Sequence, residues 1–68
     1  MTHTLTTDQY AYPVRWDFTP DADGRYVCVR HSRWYASTGW ACILESWMSV
    51  RQAREVYATR LADGLVRA

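Results

Sequence analysis

One stretch, Ser46 to Leu65, limits the fold more than any other, because it alone pairs helical spacing with both a start and a stop signal. Ser49 followed by Gln52 has the spacing of a capping box, in which each side chain reaches the other residue's amide. Met48, just before that cap, stands where a hydrophobic staple onto Ala53 would form. Val50, Ala53, Tyr57 and Leu61 then recur at helical spacing with Val56 beside them, while Arg51, Arg54, Glu55 and Arg60 mark the wet side. Gly64 fits a left-handed stop, and Leu65 fits the apolar contact that follows one. The spacing therefore predicts a short amphipathic helix that needs a sheet to cover.

The rest of the chain supplies one. From Tyr10, the apolar Tyr12, Val14, Trp16 and Phe18 alternate with Pro13, Arg15 and Asp17, the period of a strand with one apolar face. Pro13 suggests an edge position for that strand. Thr19 to Gly24 is dense in turn formers and closes a hairpin. Arg25 to His31 reads as a second strand, Ser32 to Thr38 as a longer connection, and Gly39 to Glu45 as a third strand leading into the helix. Residues 1–9 hold four Thr and read as a flexible polar tail, with a tail strand on a sheet edge as the alternative. The expectation is an α+β domain over residues 10–68: a three-stranded antiparallel sheet packed on one C-terminal helix. A small SH3-like barrel is the rival, since short twisted strands can curl.

Folding the second and third strands about Tyr35 sets Arg25 against Glu45, Val27 against Ile43, Val29 against Ala41 and Arg30 against Trp40, all favourable cross-strand pairs. Folding the first hairpin between Asp21 and Ala22 pairs Trp16 with Val27 and Val14 with Val29. One face then collects Val14, Trp16, Phe18, Val27, Val29, Ala41 and Ile43 for the helix. A one-residue slip would turn these side chains outward. The opposite face receives Arg15, Tyr26, Cys28, Arg30, Trp40, Cys42 and Leu44, with Trp34, Tyr35 and Trp47 in or near connections. One helix cannot cover both faces, and a bare apolar patch marks an interaction surface. The competing reading folds the tail or the 32–38 connection back over it.

Bulk properties exclude more than they assign. Sixty-eight residues make one domain with a thin core. A formal net charge of +1 argues against a polyanion binder. All eight basic residues are Arg, which has a bland explanation in genome base composition. Even so, Arg, Trp and Tyr are the types enriched at binding hot spots. Met1 to Gln9 lacks the apolar core of a secretory leader, and the longest apolar run, Trp40 to Leu44, is far below a membrane span. A cytoplasmic protein without membrane contact is expected. Cys28 and Cys42 fall opposite each other in this register but have no companions for zinc; two inert thiols are expected. Asp17, Asp21 and Asp23 are explained by turn chemistry rather than by calcium. His3 and His31 have no nucleophile or orienting carboxylate placed beside them. No metal, cofactor or catalytic residue is assigned, and no enzyme is expected.

Three strands followed by a helix resembles the AP2-type and integrase arm-type DNA-binding modules, whose sheets present Arg and aromatic side chains to a groove. Trp47-Met48-Ser49-Val50-Arg51-Gln52-Ala53-Arg54-Glu55-Val56-Tyr57 is similar to the entry into those families' helix. The resemblance implies a nucleic-acid surface using Arg15, Arg30 and Trp40. Against it, residues 10–45 carry four Arg and four acidic residues, a net of zero, where phosphate binding wants an excess. The run from Ser49 to Tyr57, with Leu61 and Gly64, also resembles the closing helix of short uncharacterised cyanobacterial and phage proteins, which carry no assigned chemistry.

The reading is thus a small non-enzymatic protein-binding module, a phage-type or mobile-element-type regulator or inhibitor, or an accessory subunit. Its partner is another protein or a second copy of itself. Arg15, Tyr26, Arg30 and Trp40 form the expected contact set, with Trp34 and Tyr35 at the rim. A DNA- or RNA-binding module using the same face is the alternative.

Overall fold

The computed structural model describes residues 1–7 and 13–68. In chain order they form β1 (His3–Thr7), β2 (Val14–Pro20), β3 (Tyr26–Tyr35), β4 (Gly39–Ser49), α1 (Val50–Ala62) and β5 (Val66–Arg67). The strands make one open antiparallel sheet in the order β4-β3-β2-β1-β5. The class is α+β, as the pattern predicts, but with five strands instead of three, and open instead of barrel-like.

The two added strands come from stretches with little apolar signal. β1 lies in the segment read as a tail, yet Leu5 is wholly buried and Thr7 nearly so. With only Leu5 apolar, its alternation is carried by Thr, which fits a pleated surface without advertising it. The tail-strand alternative is nearer the mark, although β1 is interior, with β5 outside it. The expectations for residues 8–12, including Tyr10 and Tyr12, lie outside the described residues. Pro13 does not mark an edge, because β2 runs between β1 and β3. It stands just before the strand, where its missing N–H matters little, and its carbonyl accepts from the Trp34 amide at 2.9 Å.

Both hairpins take a different register from the expected one. β2 pairs Trp16 with His31 and Phe18 with Val29, a shift of an even number of residues, so the same side chains still face the helix. β3 runs on through Ser32 to Tyr35, where a loop is expected, and turns after Tyr35. Near that turn Trp34 opposes Trp40 and Arg33 opposes Ala41. A bulge at Ile43 then inverts the remainder: Arg30 opposes Glu45, Cys28 opposes Trp47 and Val27 opposes Met48. Arg25 therefore does not meet Glu45, Arg30 does not meet Trp40, and Cys28 does not meet Cys42. Directly opposite residues share a face, so Leu44, across from His31, belongs with the helix side.

The helix side buries Leu5, Phe18, Val27, Val29, Ala53 and Leu65, with Val14, Trp16, Met48, Val50, Val56 and Tyr57 packed around them. Phe18 meets Tyr57 edge-on at 5.2 Å between ring centres. The helix ends match their signals. Ser49 Oγ accepts from the Gln52 amide at 3.2 Å, and Gln52 Oε1 accepts from the Ser49 amide at 3.3 Å. At the other end, Gly64 takes φ 101°, its amide donates to Leu61 O, and the Leu65 amide donates to Arg60 O. These are the two bonds of a Schellman stop. Two positions depart from the expected helix face. Leu61 is partly exposed, while Arg60 lies inward with its guanidinium carbon 5.0 Å from the Trp16 ring centre.

Candidate functional site

Among the described residues, no element lies over the sheet face opposite α1. The two covers expected in the alternative reading are used otherwise, since residues 3–7 and 32–35 are strands of the sheet itself. Cross-strand pairing places Thr4 and Thr6, Arg15 and Asp17, Tyr26, Cys28, Arg30 and Trp34, and Trp40, Cys42, Glu45 and Trp47 on this open face.

Its aromatic groups gather at the two ends of β3. Near the β3–β4 turn, Trp34 and Trp40 meet edge-to-face at 5.8 Å, and the Arg15 guanidinium carbon sits 4.6 Å from the Trp40 ring centre. Gly39 permits this arrangement: it takes φ 77°, and a Cβ there would come within 3.3 Å of the Trp34 ring. At the far end Tyr26 and Trp47 stand 54% and 59% exposed; Trp34 and Trp40 are 41% and 39% exposed. Eight residues of strand separate Tyr26 from Trp34, roughly 26 Å. The surface is a strip with an aromatic group at each end.

Charge along the strip is paired. Arg15 Nε donates to Asp17 Oδ2 at 3.1 Å, and Thr4 Oγ1 donates to Asp17 Oδ1 at 2.7 Å. Arg30 donates through Nε and Nη2 to Glu45 Oε2 at 3.2 and 3.0 Å. The Glu45 hydrogen bond and charge raise the Arg30 pKa further, so it stays a cation. Cys28 donates its thiol to Glu45 Oε1 at 3.6 Å. Burial, and then the Glu45 carboxylate, push that thiol's pKa up, which keeps it protonated and a poor nucleophile. Ser32, small and set between Arg15 and Cys42 on the neighbouring strands, is the buried floor.

Of the expected contact residues, Arg15, Tyr26, Arg30, Trp34 and Trp40 share this face. Tyr35 does not: opposite Gly39, it has the parity of the helix side. Two members, Asp17 and Glu45, escape the sequence reading, while Trp47, expected in or near a connection, stands within β4. Asp17 lies two residues from Arg15 on one strand, a spacing that puts both on one face and could have revealed the pair. Asp21 does turn work, its Oδ1 accepting from the amides of Arg25 and Tyr26.

The helix side has a concavity of about 440 Å³, lined by Phe18, Val27, Val50, Ala53 and Tyr57, with His3 and Arg54 among its polar lining. It gathers no nucleophile and base. Trp16 stacks on His31 at 4.4 Å and 9°. His31's pKa is lowered by burial first, then by Arg33 and Arg60. Among the described residues, no helix is long and apolar enough to cross a membrane. No family model, curated protein or solved structure matches this chain.

Proposed function

We propose that the chain is a small, non-enzymatic binding module that docks its open sheet face on another protein, as a regulator or inhibitor or an accessory subunit. The observation that carries this reading is the Arg15–Trp40–Trp34 cluster standing on a face that no described element covers. Large, rigid aromatics beside Arg are the side chains that dominate protein interfaces. Arg15 and Arg30 are held by Asp17 and Glu45, so they arrive oriented; their spare donors remain for acceptors on the partner, which favours specificity over raw affinity. The same pairing counts against a DNA- or RNA-binding surface, because the two arginines and two carboxylates balance. Phosphate contacts draw their strength from an unbalanced positive field.

Capture from a lysate of the native host tests the proposal. Trp40→Ala combined with Arg30→Ala should lose the captured partner while the circular-dichroism melt barely moves. Undiminished capture, or a variant that fails to fold, refutes the docking surface. Capture that collapses steeply with added salt would favour the nucleic-acid alternative.

A further inference from the structure

The edge of the sheet poses a separate question from its face. β4 is the longest strand and lies at the end of the strand order, paired on one side by β3 alone. Among the described residues nothing pairs with its other side, which therefore presents a row of backbone N–H and C=O groups. Natural sheets keep such an edge short or charged, or cover it. This one spans 11 residues and has Glu45 as its single ionised side chain. Ile43, Leu44 and Trp47 on it are each about half exposed or more. Backbone pairing of that kind selects another strand as its occupant, and the sequence of β4 indicates which.

We infer that β4 pairs antiparallel with β4 of a second copy, about a two-fold axis between Ile43 and Leu44, joining two sheets into one of ten strands. In that register Trp40 stands against Trp47 of the second copy, Cys42 against Glu45, Ala41 against Ser46 and Gly39 against Met48. Within one chain, Trp40, Cys42, Glu45 and Trp47 belong to the open face, while Gly39, Ala41, Ser46 and Met48 belong to the helix face. Every one of these pairs thus joins like face to like face. The bulge is what allows it: without the extra residue at Ile43, this register would set open-face side chains against helix-face ones. Ile43 then meets Leu44 of the second copy, and the two extra residues compensate each other. Glu45 meets a thiol and keeps its own Arg30. Centring the axis on Glu45 would oppose two carboxylates, which is destabilising. The chosen register also uses the strand from Gly39 to Met48 without overhang. A second copy is favoured over a foreign strand because the match is a property of β4 against itself.

Sedimentation velocity on the full chain at micromolar concentration should show twice the chain mass. Leu44→Lys, at a position already exposed, should sediment as a folded monomer, and Trp34→Ala should stay dimeric. The register has its own test in a Cys28→Ser, Cys42→Ser background. Ala41→Cys together with Ser46→Cys should give a disulfide-linked dimer under mild oxidation, and either change alone should not. Within one strand those positions lie roughly 16 Å apart, beyond the reach of an internal disulfide. A wild-type chain that remains monomeric overturns the inference. So does a dimer that Trp34→Ala dissociates and Leu44→Lys does not, or a double-cysteine chain that never cross-links. Loss of partner capture with the dimer intact would bear on the docking face alone.

Discussion

Leu5→Ala tests whether the N-terminal segment belongs to the core. Among the described residues, Leu5 is the one large side chain with no exposed surface, and it reaches the cluster of Phe18, Val27, Val29, Ala53 and Leu65 from a strand bonded on both sides. Truncating a buried Leu to Ala removes about 2–5 kcal/mol, through lost transfer energy and the cavity left behind. A domain of this length has a total of only about 3–10 kcal/mol, so the change takes a large share of it. At ~4–8 °C per kcal/mol for small domains, the melting temperature should fall by at least ~8 °C. Urea unfolding followed by tryptophan fluorescence, with the thermal melt by circular dichroism, reads both quantities. Thr2→Ala is the control: it removes an exposed hydroxyl contact to Thr19, and surface changes of this kind stay within ~0.5 kcal/mol. A Leu5→Ala chain no less stable than that control would show that β1 is not part of the core, and the five-stranded sheet would be wrong.

Two further outcomes follow from local geometry. Gly64→Ala should cost about 1–2 kcal/mol in the same urea titration, because an L side chain at φ 101° carries the left-handed penalty; no change would mean that the helix ends elsewhere. His31 has its pKa lowered in the folded chain, so the unfolded chain takes up the proton first: stability is full above the ordinary value near 6.5 and declines as pH falls below it. His31→Gln should flatten that decline between about pH 6.5 and 5, above the ordinary carboxylate range, and an unchanged slope would remove His31 as its cause.

How much was legible depended on how local the signal was. The helix was readable from Ser49 to Leu65 because a capping box and a Schellman stop are written within a few residues of each other. The helix-side positions of Val14, Trp16, Phe18, Val27 and Val29 were readable from alternation alone, and they survived a wrong register because the β2–β3 shift was even. The β3–β4 pairing was not readable. Turning about Tyr35 offered attractive pairs, whereas the chain turns later, and the Ile43 bulge has no local mark in a run of apolar residues. β1 was hidden because one Leu among threonines carries almost no hydrophobic signal. The open face was found with most of its aromatics and arginines, but the acidic partners of those arginines were missed. Their positions depend on strand neighbours and not on chain neighbours.

The pairing of β1 with β5 brings the C-terminus beside the N-terminal strand, with the Ala68 amide donating to Thr4 O at 3.0 Å. Both ends lie on the side of the sheet away from β4, on β1 and the outermost β5. An affinity tag, a fluorophore or a surface tether fused to either end would therefore leave β4 unobstructed. The same closeness makes the protein a natural candidate for circular permutation, with old ends joined by a short linker and new ones opened at an exposed turn such as Ala22–Gly24.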